Sequence, residues 1–178
     1  MTQQGRDDGS LATGSPRVPG TRRFDHVGLS VPDLEAAVAF FVDCFGAQVL
    51  FQMGRSANPG SMGAQRLGAD EGAHFALAML SLGGGRVELL QWWSARGEDP
   101  IPAAGSPGGS HIALEVADVG EALVRLARVE GVSILSEPVT FTEGPTPGLT
   151  NAFALTPWGA LLEIVSWGWP DVGPVGYA

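Results

Sequence analysis

The sequence predicts an α+β fold, with paired βαβββ modules forming a cupped, roughly eight-stranded mixed sheet. Three observations carry that expectation. The stretch "DHVGLSVPDLEAAVAFFVDCFGAQVL" (25–50) aligns without gaps on "SHIALEVADVGEALVRLARVEGVSIL" (110–135), so that His26 meets His111, Asp33 meets Asp118 and Gly46 meets Gly131. Later, "AMLSLGGGRVELLQW" (78–92) aligns on "FALTPWGALLEIVSW" (153–167), with Gly84 on Gly159, Glu88 on Glu163 and Trp92 on Trp167. Within both pairs the apolar residues first alternate with period two, then follow a helical spacing, then alternate again.

The elements follow in order. Residues 1–21 lack the apolar middle of a secretion signal and read as a flexible leader. The first module, 22–95, begins with a strand over 24–31. An acidic helix start at Asp33 and a glycine near the helix end, Gly46, bound the helix that follows. Residues 78–92 read as two apolar strands joined at a glycine-containing turn. The spacing between matched positions falls from 85 to 75 residues along the repeat, which places about ten extra residues of the first half in 52–74. The connection 96–107 is rich in Pro, Gly and Ser, as a linker should be. The second module, 108–168, repeats the plan from a strand at 110–116, a helix start at Asp118 and a helix end near Gly131, and 169–178 form a C-terminal tail. One such module alone leaves an apolar sheet face and an edge uncovered, so the two must pair.

Composition bounds what the chain can do. Hydrophobic residues make up 44% of 178 positions, enough for a sizeable core. The net charge is −9 and every one of the ten basic residues is arginine, with no basic cluster, which argues against nucleic acid or an anionic membrane as partner. No apolar run approaches the length that spans a bilayer. With one cysteine and no export signal the expected location is the cytoplasm. That cysteine, Cys44, lies in an apolar helical stretch and reads as a packed thiol.

Strand parity sorts the polar residues. Val27, Leu29 and Val31 should face the helix, leaving His26 on the open face beside Gly28, whose missing side chain leaves room. Ile112, Leu114 and Val116 do the same for His111. In "VELLQW" Glu88 shares a face with Leu90 and Trp92, and in "LLEIVSW" Glu163 shares one with Val165 and Trp167. Each module thus delivers one His–Glu pair to its open face. A carboxylate inside an apolar strand needs a partner, and two imidazoles with two carboxylates converging in a cup make a natural divalent-metal set. His26, Glu88, His111 and Glu163 are therefore the candidate metal ligands, for Ni, Zn or Co first and Fe or Mn next. His74 has no repeat counterpart and reads as a non-ligand. Arg55, Arg66 and Arg86 read as solvated surface, Glu115 as a rim residue, and Trp93, Trp158 and Trp169 carry no clear signal.

These residues resemble the vicinal oxygen chelate superfamily, which includes glyoxalase I, methylmalonyl-CoA epimerase, extradiol dioxygenases and bleomycin-binding proteins. "DHVGLSVPDLEAAVAFF", "VELLQWW", "SHIALEVADV" and "TPWGALLEIV" are similar to its four signature stretches, in the family's order, and the likeness covers about 22–168. The His, Glu, His, Glu pattern is closest to glyoxalase I, with the epimerases similar. The resemblance implies a divalent-metal-dependent lyase, isomerase or epimerase acting on a small substrate with two neighbouring oxygens through an enediolate. It implies Glu163 as the main base with Glu88 as its counterpart, while Trp92, Trp167 and Leu90, which share the metal-facing side by strand parity, read either as substrate-side walls or as ordinary core packing. A homodimer pairing across exposed sheet edges fits the same family. Two alternatives stay open: an Fe(II) extradiol-type dioxygenase using three of the four ligands, and a non-catalytic ligand-sequestering protein of the bleomycin-resistance type. The insertion "MGRSANPGSMGAQRLGADEG" matches no glyoxalase stretch and reads as a substrate loop, and no residues are assignable to holding glutathione.

Overall fold

The computed structural model describes residues 20–55, 72–93, 102 and 105–168. The leader, most of the insertion with Arg66, most of the linker, and the tail with Trp169 lie outside the described residues.

The first module runs β1 (Val27–Ser30), α1 (Leu34–Phe45), β2 (Gln48–Met53), β3 (His74–Leu82) and β4 (Gly85–Trp93). The second runs β5 (His111–Glu115), α2 (Val119–Leu126), β6 (Ser133–Ile134), β7 (Val139–Thr140), β8 (Leu149–Leu155) and β9 (Leu161–Trp167). Both modules follow the βαβββ plan and the α+β class stands. The strands form a four-stranded sheet, ordered β1-β4-β3-β2, and a five-stranded one, β5-β9-β8-β6 with β7 also on β8. Among the described residues the expected mixed sheet is built as two, one from each module. The added strand is β7, where Val139 and Thr140 pair with Asn151 and Thr150 and the two threonine hydroxyls meet at 2.8 Å.

Each helix starts where its aspartate can cap it. The Asp33 carboxylate accepts from the Ala36 N–H at 2.9 Å, and that of Asp118 from the Glu121 N–H at 2.8 Å. Gln91 of β4 secures the first cap from across the sheet, accepting from the Leu34 N–H and donating to the Pro32 carbonyl. The helix ends differ. Gly46 adopts a left-handed conformation (φ 66°) and closes α1, its N–H and that of Ala47 bonding back to the Val42 and Phe41 carbonyls. In α2 the cap is Ala127 in right-handed conformation, the chain tightens through i→i+3 bonds at Arg128 and Val129, and Gly131 then reverses it inside a turn closed by the Val132 N–H on the Val129 carbonyl. The glycine closure expected for both helices therefore belongs to α1 alone.

The two hairpins also differ by a residue. Leu82 pairs with Gly85 across Gly83 and Gly84, both at positive φ, as a two-residue type I′ turn requires. In the second hairpin Thr156 pairs with Ala160 around Pro157, Trp158 and Gly159, with only Gly159 left-handed. Met79 lies opposite Glu88 while Phe153 lies opposite Glu163, so the ungapped alignment slips by one residue on the first strand of the hairpin.

One apolar cluster joins the modules. It draws on Ala37, Phe40 and Phe41 of α1, Leu123 and Leu126 of α2, Leu80 and Leu89 of the first sheet, and Ala152, Leu162 and Ile164 of the second. Trp158, at the tip of the β8–β9 turn, packs edge-on against Phe40 at 5.4 Å between centroids and tilted against Phe41 at 6.1 Å. The helix-bearing faces of both sheets thus share a core, and the opposite face of each sheet turns away from it.

Candidate functional site

On the first sheet the outward face carries Glu88, Leu90 and Trp92 of β4 and Phe75, Leu77 and Met79 of β3, because alternate residues of a strand share a face. Gly28 stands opposite Glu88 in the parallel β1–β4 register. A methyl group at Gly28 would sit in ordinary van der Waals contact, 3.6 Å from a Glu88 carboxylate oxygen and 3.5 Å from Leu90, so the room expected of the missing side chain is not a steric requirement here. His26, just before β1, directs Nε2 to Glu88 Oε2 at 3.6 Å. Its Nδ1 lies 3.0 Å from Asp25 Oδ1. The other Asp25 oxygen accepts from Arg23 at 3.1 Å and from Arg86 at 3.5 Å. Chiefly its hydrogen bond with His26, against some desolvation, and then the two guanidiniums hold the Asp25 carboxyl below its usual range.

The second sheet repeats the arrangement with different support. His111 Nε2 lies 3.2 Å from Glu163 Oε2, and its ring packs edge-on against Phe153. The Glu163 carboxylate is tied down by Asn151, whose amide donates to Oε1 at 2.6 Å. Asn151 was missed by reasoning from sequence. It lies two residues before Phe153 on the same strand face, so parity from Glu163 and its neighbour could have found it.

The remaining candidates divide between the faces. Leu90 is buried with Phe75 and Leu77 in a small apolar cluster that Met53 and Trp92 border, and the Trp92 N–H donates to the Ser30 hydroxyl at 3.1 Å. Trp92 and Phe75 rings stand 5.1 Å apart. Trp167 ends β9, opposite Leu149. His74 pairs with Trp93 at the start of β3 and has the parity of Ala76 and Ala78, on the face away from Glu88. The guanidinium of Arg55 stacks on Trp93 at 4.7 Å. Glu115 is exposed at the end of β5. Burial, then the Asp43 charge, pushes the Cys44 thiol up from its ordinary value, as suits a packed thiol.

The structure brings His26 to Glu88 and His111 to Glu163, but it does not bring the four together in one chain. Among the described residues no three His, Cys, Asp or Glu side chains are grouped closely enough to hold an ion. The physical reason is the shared core: the sheets are joined through their helix-bearing faces, so the two pairs look outward on different sheets. A concavity of about 480 Å³ lies elsewhere, between the end of α1 and α2, lined by Cys44, Val116, Asp118 and Arg125 among others. It touches neither pair. Each pair nevertheless has the donor chemistry of half a metal site, and the His111–Glu163 pair has its spacing, while the His26–Glu88 pair is slightly wide of it. An ion with bonds of about 2.1 Å holds neighbouring donors about 3.0–3.4 Å apart, against the observed 3.6 and 3.2 Å. No helix among the described residues is long and apolar enough to cross a membrane.

With this geometry in place, three comparisons bear on the chain. Residues 23–164 match the Glyoxalase/Bleomycin resistance protein/Dioxygenase superfamily. A 2-epi-5-epi-valiolone epimerase from Actinomyces sp. is 35% identical over 150 residues, spanning 84% of this chain and 81% of that protein. Among solved structures, a glyoxalase family protein from Bacillus cereus superposes with a TM-score of 0.68 at 17% identity, covering 84% of this chain and 98% of the other. A variant of glyoxalase I from Zea mays gives 0.55 at 24% identity over 84% of this chain and 45% of the maize one. The structural likenesses concern the fold.

Proposed function

The chain belongs to the glyoxalase/bleomycin resistance protein/dioxygenase superfamily, and on that premise we propose that it is a metal-dependent epimerase that inverts a carbon beside a ketone. The observation that carries the reading is the placement of one His–Glu pair on the open face of each module, at repeat-equivalent positions. The 35% identical relative is an epimerase whose named substrate is a valiolone, so a hydroxylated cyclic ketone of that kind is the proposed substrate class.

His26, Glu88, His111 and Glu163 would hold a divalent ion, with Zn, Ni or Co the expected choices and Fe or Mn next. When bound, that ion supplies Lewis-acid polarisation of a substrate carbonyl and its neighbouring oxygen. Since each chain carries its pairs on separate outward faces, a complete set needs His26 and Glu88 from one protomer and His111 and Glu163 from another. The strands nearest those histidines, β1 and β5, each end their sheet with an unpaired edge among the described residues. Phe24 and Val27 beside the first edge are exposed. A homodimer that covers these edges satisfies both the edges and the ligand set.

The carboxylates then have a division of work that inversion requires. One removes the proton from the carbon next to the ketone, leaving its electron pair to delocalise onto the carbonyl oxygen. The other returns a proton to the opposite face, and no oxidant or reductant is consumed. Glu163, fixed by Asn151, has the defined position expected of a main base, with Glu88 as its counterpart. Leu90, Trp92 and Phe75 form a dry wall beside Glu88, and Trp167 stands at the corresponding place in the second module.

The test is incubation of the Zn²⁺-, Ni²⁺- or Co²⁺-loaded protein with 2-epi-5-epi-valiolone in D₂O. The reading expects deuterium at the carbon beside the ketone together with inversion there. Neither exchange nor inversion with any of the three ions would refute it.

A further inference from the structure

The two half-sites are unequal in how they hold their imidazoles, and that inequality points to a residue with a job of its own. We propose that Asp25 is a positioning residue that keeps the His26 proton on Nδ1 and so presents a bare Nε2 to Glu88. The proposal rests on the metal-site reading above for its purpose, though not for its geometry.

A carboxylate next in sequence to a histidine meets it easily by accident, so the anchoring of Asp25 decides the matter. Its two oxygens are used separately: Oδ1 faces His26 Nδ1 at 3.0 Å, while Oδ2 is held by Arg23 at 3.1 Å and Arg86 at 3.5 Å. Arg86 lies on β4, 61 residues away and two positions before Glu88, on the same strand face. The strand that supplies the carboxylate partner of His26 therefore also supplies an anchor for Asp25. A carboxylate accepts but cannot donate, so Asp25 fixes a proton on Nδ1; in the neutral ring the lone pair then lies on Nε2, which at 3.6 Å makes no hydrogen bond to the Glu88 carboxylate. That is the form an imidazole needs to bind an ion through Nε2, with an outer carboxylate fixing ring and tautomer. The second half-site has no equivalent. Ser110 precedes His111, which is steadied by the edge of Phe153, and there the tethered member is Glu163.

The test uses the metal-free full chain at pH ~8.5, where an ordinary imidazole is neutral, with long-range ¹H–¹⁵N correlation of the histidine rings. In the unsubstituted protein His26 is expected as the Nδ1–H form. Asp25→Ala should shift it to the Nε2–H form that free imidazoles favour and leave His111 as it was. Asp25→Asn, which keeps an accepting oxygen, should hold most of the original tautomer. Titration with Zn²⁺ alone should show affinity falling about tenfold to a hundredfold for Asp25→Ala and clearly less for Asp25→Asn. A His26 that is Nε2–H in the unsubstituted protein, or an Asp25→Ala protein that keeps its tautomer or its full Zn²⁺ affinity, overturns the proposal. If the unsubstituted protein takes up no Zn²⁺, Ni²⁺ or Co²⁺, the metal reading fails, and the tautomer experiment still decides the role of Asp25.

Discussion

Replacing Trp158 by alanine tests whether the two modules are held together through their helix faces, which is what turns the His–Glu pairs outward. The ring lies at the tip of the β8–β9 turn, mostly buried, in contact with both Phe40 and Phe41. A tryptophan buries about 150–250 Å² when enclosed, worth about 4–6 kcal/mol at ~25 cal/mol per Å². Partial exposure of Trp158 and relaxation of the turn reduce that to about 2–3 kcal/mol. Loss of two aromatic contacts adds about 1 kcal/mol. The expected loss is thus about 3 kcal/mol, or about 6–12 °C in Tm for a chain of this size. Urea unfolding followed by far-UV circular dichroism measures it, with the midpoint expected to fall. Trp158→Phe should recover part of the loss, since a smaller ring still reaches Phe40. A Trp158→Ala protein within about 1 kcal/mol of the original would refute the shared core, and with it the argument that one chain cannot close the site.

Three further outcomes follow from particular contacts. Gly131 holds φ +82° with an added Cβ meeting the Pro157 Cβ at 3.0 Å, whereas Gly144 holds φ +86° in open space. Gly131→Ala should therefore cost about 2–3 kcal/mol and Gly144→Ala about 1 kcal/mol in urea unfolding. The Cys44 thiol is raised above its ordinary 9.0. Its thiolate is thus scarcer than that of a free cysteine, and iodoacetamide should modify it more slowly at pH 8 than it modifies glutathione. Because the folded value lies above the unfolded one, Cys44 adds stability that is intact below pH ~9 and declines as pH rises through the folded value. Asn151→Ala should weaken Zn²⁺ binding about tenfold or more by freeing Glu163 while leaving the Tm within a few degrees, as titration and thermal unfolding would report.

Much of this architecture was legible because the chain states it twice. His26 and His111, Asp33 and Asp118, and Glu88 and Glu163 occupy matching positions, so one reading of strand, cap and face served both halves. The pairing of each histidine with the glutamate of its own module follows from the parallel contact of β1 with β4 and of β5 with β9, which parity alone only implies. What escaped the sequence was local or long-range. The one-residue difference between the hairpins hides behind aligned glycines, since Gly83–Gly84 and Pro157–Trp158–Gly159 make turns of different length. β7 is too short to leave a periodic signal. Trp158 gave no sign of its partners because they lie on α1, more than a hundred residues earlier. The direction in which the two open faces point is a property of packing between modules, and no pattern within either module encodes it.

The central claim is that the candidate site is shared between protomers, and mixing two inactive proteins tests it directly. A chain carrying His26→Ala with Glu88→Gln lacks the first half-site, and one carrying His111→Ala with Glu163→Gln lacks the second. Co-refolded in equal amounts, they should form mixed dimers in which one of the two sites is wholly intact, restoring about a quarter of the epimerase activity of the same amount of unsubstituted protein. A mixture as inactive as either protein alone, with mixed dimers demonstrated by native mass spectrometry, would contradict the account.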